Sequence, residues 1–214
     1  MILLPPLQVL HEDPDFVVVD KPSGVLAVPG RGPDKQECVA RQVIGAYPGC
    51  IPQPSVHRLD MDTSGLMVFT LRRESHAELS RQFREQETRK EYIALLDGVL
   101  PGNGGTIELR FRLDVDNRPI QIHDDTHGKL GVTHWERLGI EEGRTRVRFR
   151  PMTGRTHQLR LHASHPLGLG IPIVGDPFYG RGEGPGQLKL HASFLGFRHP
   201  TSGEALEFRS KPRF

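Results

Sequence analysis

Apolar and polar positions along this 214-residue chain alternate in short segments punctuated by turn residues. Phe16-Val17-Val18-Val19 is a β-branched run that ends in Asp20-Lys21-Pro22-Ser23-Gly24, the pattern of a strand followed by a turn. After a loop at 30–33, Asp34 is placed to cap a helix reaching Ala46, with Val39 and Val43 four residues apart on one face and Pro48-Gly49 as the stop. A loop then leads into a strand at 66–71. The segment 75–86 predicts an amphipathic helix with Ala77, Leu79 and Phe83 inward, and 91–96 predicts a strand stopped by Asp97-Gly98. Between 100 and 131 glycine and proline are frequent, so only short strands are expected. Residues 132–138 and 144–150 read as a hairpin about Glu141-Glu142-Gly143, Thr156 as the cap of a short helix to His162, and 188–197 with 205–208 as a last strand pair. Turns, not crossover helices, join most strands. The fold class expected is α+β, a largely antiparallel mixed sheet with a few flanking helices, in one domain over 1–214.

Composition narrows the function classes. With 36% hydrophobic and 25% charged residues the chain is an ordinary globular one, long enough to bury a core without disulfides. Cys38 and Cys50 form no CxxC, which argues against a zinc ribbon or a disulfide scaffold. The opening MILLPPLQVL lacks the basic and long apolar regions of a secretory signal, and no run nears the roughly 18 apolar residues of a membrane span. A cytoplasmic protein is expected. The net charge of +2 is small, but RTRVRFRPMTGRTHQLRLH, at 144–162, holds six arginines and no acid. One face is therefore expected to be basic. In the strand at 144–150, Val147 and Phe149 alternate with Arg144, Arg146, Arg148 and Arg150, which sends four guanidinium groups outward.

Two constellations carry candidate chemistry. SVHRLDMDTSG, at 55–65, places His57, Arg58, Asp60 and Asp62 ahead of an apolar strand. There Asp60 is open to three readings: nucleophile, general base, or turn-stabilising side chain. Arg58 is either its ion-pair partner or a phosphate contact. The second constellation, MTGRTHQLR at 152–160, turns at Gly154 and sets Arg155 near a helix start, where it is either paired with a carboxylate or solvated. Tyr92 and Trp135 lie in strands and default to core. His157, His162 and His165 lack HExxH spacing, and Gly30-Arg31-Gly32 continues into neither a dinucleotide nor a phosphate loop, so no metal and no cofactor is expected. The hexapeptides LRLHAS (159–164) and LKLHAS (188–193) echo one another by coincidence. Residues alone leave an RNA-acting enzyme and an RNA-binding module both open.

HRLDMDTSG, at 57–65, resembles the HRLD-x-x-TSG motif of the RluA-type pseudouridine synthases. Four further segments resemble that family in order: DKPSGVLAVPG (20–30), RQFREQETRKEYIALLDG (81–98), GRTHQLRLH (154–162) and GDPFYG (175–180). The resemblance covers nearly the whole chain, with a slightly lengthened link at 165–171, and is nearest the short branch without an amino-terminal S4 RNA-binding domain. It implies isomerisation of uridine to pseudouridine in large-subunit ribosomal RNA or a tRNA anticodon stem-loop, without metal or cofactor. A monomer with no protein partner is expected.

By the same resemblance Asp60 is the catalytic carboxylate, attacking C1′ or stabilising oxocarbenium character there. Arg155 pairs with Asp60 and orients it. Tyr92 faces the flipped uracil, stacking on it or handling the C5 proton, and Leu159 walls the pocket. Arg58, with His57 beside it, enters the RNA space that the flipped uridine vacates. Arg144, Arg146, Arg148 and Arg150 supply phosphate contacts. The alternatives are a catalytically silent RNA-binding or RNA-folding module on the same scaffold, and a glycosylase that would release free uracil.

Overall fold

A computed structural model describes residues 4–214, which form ten strands and three α-helices arranged in two units. The first unit takes the chain up to Lys90 together with His191–Arg213; the second takes Glu91–Leu190 with Phe214.

In the first unit β1 (Val9–Glu12) pairs antiparallel with β2 (Phe16–Lys21), and β2 with β3 (Ser64–Thr70) from Phe16↔Thr70 to Lys21↔Gly65. Phe16, Val17, Val18 and Val19 are all fully buried, which is why this run is continuously apolar instead of alternating. Strand β9 (Leu190–Arg198) lies parallel to β3 at Ser64↔His191 and Gly65↔Ala192, and β10 (Ala205–Arg209) returns antiparallel to it. The parallel contact is possible because residue 65 is glycine. Its φ is +109°, and a Cβ there would stand 2.3 Å from the Ala192 carbonyl oxygen. Helix α2 (Arg73–Arg84) packs Leu79 among Phe16, Val18, Leu66, Val68 and Leu195. Its inward face is Ser75, Leu79 and Gln82, not Ala77, which is exposed. Gln82 is buried because its amide satisfies a strand end, donating to the Arg198 carbonyl at 3.0 Å and accepting the Arg198 N–H at 2.9 Å. Helix α1 (Val39–Ala46) begins later than Asp34, which sits in a 3-10 turn at Pro33–Lys35. Proline within that turn and the buried Cys38 after it postpone the helix start.

The second unit is antiparallel throughout. Its strands are β4 (Arg89–Leu96), β5 (Gly104–Leu113), β6 (Gln121–His123), β7 (Lys129–Glu141) and β8 (Arg144–Pro151), in the order β4-β8-β7-β5-β6. The long β5 corrects the expectation of short strands between 100 and 131. Ile107, Leu109 and Phe111 face the core with Glu108 and Arg110 between them and Arg112 after them, an alternation masked by the glycines and proline around it. Helix α3 (Gln158–Ser164) starts after His157, not at Thr156, and buries Gln158 through Ala163 against that sheet's core. Trp135 is half-buried against the same core. The two hexapeptides part company: 159–164 lies in α3, whereas Leu190–Ser193 of the second opens β9.

Candidate active site

In the first unit the loop 57–63 is held by backbone groups gathered around it. The Lys21 ammonium, with no exposed surface, donates to the carbonyls of Pro22 (2.9 Å), Val25 (2.7 Å) and Met61 (2.8 Å). The Met61 carbonyl also accepts the Gly24 N–H at 3.0 Å, and Ser23 Oγ donates to the Asp62 carbonyl at 2.5 Å. Thr63 N–H closes the turn on the Asp60 carbonyl at 3.1 Å. The segment 21–24 thus grips both peptides that follow Asp60, leaving its half-buried carboxylate on a fixed backbone. Burial pushes Lys21 down to about 7, against the opposing pull of Asp60 and Asp62. The sequence pattern did not point to Lys21 as a member of this loop. The available signal was a lysine directly behind a fully apolar strand.

Arg58 is exposed, and the charges of both Asp60 and Asp62 bear on the Lys21 ammonium. Asp62 is buried, in keeping with a structural role. His57, expected beside the substrate, is anchored within this unit. Its ring stacks on Phe83 (4.4 Å, 12°), its Nε2 accepts the Val68 N–H at 3.1 Å, and burial, with the Lys90 charge adding, pushes it down to about 3. A neutral imidazole ties the loop to β3 and α2. Ser64 Oγ lies 2.9 Å from His191 Nδ1, whose Nε2 lies 3.1 Å from Ser210 Oγ, which donates to Asp20 at 2.6 Å.

The second unit holds the other residues. Tyr92 is half-buried on β4, opposite Phe149 of β8, and packs on that unit's core. Leu159 is buried in α3, whereas Arg155 is exposed on the turn ahead of it. On β8, Val147 and Phe149 face inward as expected, but the arginines between them do not form an unneutralised stripe. Arg144 reaches Asp97 (3.5 Å), Arg146 Glu141 (2.5 Å), Arg148 Glu136 (2.8 Å) and Glu91 (3.3 Å), and Arg150 Glu91 (2.8 Å). The acids come from outside the arginine-rich segment, brought in by antiparallel pairing with β4 and β7.

Elsewhere, Asp13, Asp15 and His199 draw close enough to share an ion, and they already bond one another and Thr201: Asp15 N–H to Asp13 (2.8 Å), Asp13 to His199 (3.3 Å), Thr201 Oγ to Asp15 (2.5 Å). Cys38 and Cys50 are free thiols. Among the described residues no helix is long and apolar enough to cross a membrane.

Residues 15–165 match the family described as RNA pseudouridylate synthase. The dual-specificity RNA pseudouridine synthase RluA of Pasteurella multocida (strain Pm70) is 44% identical over 214 residues, covering 98% of this chain and 95% of that protein. The protein of that name from Escherichia coli (strain K12) is 40% identical over 214 residues, with the same coverage of 98% and 95%. Among solved structures, human RNA pseudouridylate synthase domain containing 1 is similar with a TM-score of 0.79 at 30% identity, covering 100% of this chain and 87% of that one. Human RNA pseudouridylate synthase domain containing 4 shares the fold, with a TM-score of 0.73 at 23% identity over 96% of this chain and 88% of its own. On its fold, and on similarity along nearly its whole length, this chain belongs to the RNA pseudouridylate synthase family, isomerases that turn uridine into pseudouridine in RNA.

Proposed function

We propose that the enzyme isomerises a uridine in a stem-loop of large-subunit ribosomal RNA, of a tRNA anticodon arm, or of both, with Asp60 as the catalytic carboxylate. The observation that carries the reading is the grip of Lys21, Ser23 and Gly24 on the peptides after Asp60, which supplies a preorganised carboxylate in the motif where the family keeps its catalytic aspartate. In the reaction the N1–C1′ bond breaks, the uracil turns, C5 bonds to C1′, C5 loses its proton and N1 gains one. A carboxylate suits the first step, because C1′ becomes electron-poor as the base departs. Tyr92 is assigned to the uracil and its C5 proton, Arg155 to the charge of the carboxylate, and Leu159 to exclusion of water.

Exposed Arg58 is assigned to the space that the extruded uridine leaves, and the β8 arginines to phosphates. Because those arginines already hold carboxylates, RNA phosphates would exchange for Glu91, Glu136 and Glu141 instead of meeting bare charges. Further parts of the reading are one catalytic domain over residues 1–214, a cytoplasmic location and a monomer. Dual specificity is supported by the names of the relatives and is tested by mapping pseudouridine in total RNA from cells with and without the gene.

The decisive substitution is Asp60→Asn, which keeps shape and removes the carboxylate. Pseudouridine formation is expected to fall below detection, while affinity for a stem-loop RNA stays within about threefold. Turnover near the parent rate would overturn the assignment of Asp60, and free uracil among the products would point to a glycosylase.

A further inference from the structure

The turn that carries Arg155 is held from two sides by buried groups that the reaction steps above do not use. On one side stands Gln158, 3% exposed. Its Oε1 accepts the Arg155 N–H at 3.1 Å and the Thr153 hydroxyl at 2.7 Å, while its Nε2 donates to the Val132 carbonyl (3.0 Å) and Thr133 Oγ (2.9 Å). On the other side stands His157, whose backbone is left-handed at φ 53°, ψ 17°, a region that a bulky L residue enters only when its surroundings hold it there. Its ring stacks on Phe178 (5.6 Å, 18°), and its Nδ1 lies 2.9 Å from the Tyr179 hydroxyl, which also accepts the Gln121 N–H at 2.8 Å.

What aims Tyr179 is a buried ion pair. Arg160 donates twice to Asp176, at 2.8 and 2.7 Å, with side-chain exposures of 2% and 0%. Asp176 also accepts the Phe178 and Tyr179 N–H groups at 2.9 and 3.1 Å, and the Arg160 guanidinium lies over both rings at 5.0 and 5.4 Å. A charge pair this deep brings little net stability relative to an apolar pair of like volume, so its retention asks for another reason. Here it shapes the loop GDPFYG so that one hydroxyl reaches one histidine.

We propose that Tyr179 is a positioning residue: its hydroxyl, aimed by Arg160 and Asp176, holds His157 in the left-handed conformation and thereby sets the direction in which Arg155 leaves the turn. The inference rests on Arg155 taking part in the reaction. The device is needed because Arg155 is exposed on a turn, with a long side chain whose course follows its backbone. A displacement of about 1 Å at such a group costs on the order of a hundredfold in rate.

Tyr179→Phe deletes the hydroxyl and keeps the ring over Arg160. On a stem-loop RNA it is expected to lower kcat about 10- to 100-fold with KM within about twofold, and to add no further loss in the Arg155→Ala background. A second comparison separates conformation from packing. His157→Gly, which enters the left-handed region freely, is expected to retain more activity than His157→Ala, whereas a packing role alone would put alanine ahead. Thermal unfolding of each variant checks that the fold persists. Unchanged kcat in Tyr179→Phe, or an equal proportional loss with and without Arg155, overturns the proposal. Parent-like turnover by Arg155→Ala alone removes the role of Arg155 and this inference together, and is read before Tyr179 is altered.

Discussion

Lys21 brings a positive charge to a place without solvent, where three carbonyl oxygens take its three N–H bonds. Methionine has nearly the same length and no donor, so Lys21→Met strips the Val25 carbonyl of its ammonium donor and leaves the Met61 carbonyl with the Gly24 N–H alone. An unsatisfied buried acceptor costs about 1–3 kcal/mol, and a loss of about 2–4 kcal/mol in chemical denaturation is expected. Because Met61 follows Asp60, kcat is expected to fall more than KM rises, which steady-state pseudouridine assays check. Lys21→Arg is not expected to rescue, since a planar fork cannot replace a point charge among three carbonyls. Asp60 was legible in the sequence as an aspartate on a loop before an apolar strand, reinforced by its motif. The partners of Lys21 were not, because they are carbonyl oxygens that every residue carries. The packing of His57 was hidden for a related reason: its place in HRLD says nothing of a ring stacked on Phe83, twenty-six residues away by the numbering.

Among the elements, β8 separates what periodicity reveals from what it hides. Alternation was enough to bury Val147 and Phe149 and to send the arginines out, since a strand repeats every two residues. It could not show that Glu136 lies directly opposite Arg148, because that register belongs to β7, or that Glu91 arrives on β4. The same limit hid β5, whose alternation sat between glycines that read as loop. If RNA phosphates exchange for these carboxylates, Glu91→Gln frees Arg148 and Arg150 from one competitor and is expected to tighten stem-loop binding a few-fold. Arg150→Ala is expected to weaken it and to flatten the dependence of log K on log salt by about 0.7–0.9, the share of a single neutralised phosphate. Filter binding across a salt series reads both, and identical slopes in all three proteins would remove β8 from the interface.

Over the whole molecule, one histidine in each unit, half-buried His57 and buried His162, ties stability to pH. His162 in α3 has no exposed surface, stands edge-on to Phe111 at 5.8 Å, and has no hydrogen-bond partner at either ring nitrogen among the described residues. Burial pushes it down to about 4, and His57 down to about 3, from an ordinary value of 6.5. The folded state therefore resists a proton that the unfolded chain accepts. Stability is full above about pH 6.5 and declines as pH falls through that value toward the folded pKa values. His162→Phe keeps the ring and removes its titration, so the decline between pH 6.5 and 4 is expected to shrink by up to about 3 kcal/mol in urea unfolding measured at several pH values. The antiparallel α+β class was legible because turn residues punctuate the chain. The division into two units was not: its boundaries fall inside β4 and β9, where no linker composition marks them.

The depressed basicity of Lys21 has a kinetic consequence. Burial lowers the pKa of this amine to about 7 and so favours its nucleophilic form, yet the group is out of reach of any reagent while its three carbonyls enclose it. Acylation of Lys21 must pass through openings of the loop behind Asp60, whereas Lys35, Lys129 and Lys211 lie exposed and react without delay. The ratio of the two rates is a clock, built into the chain, that counts how often the loop behind Asp60 lets go.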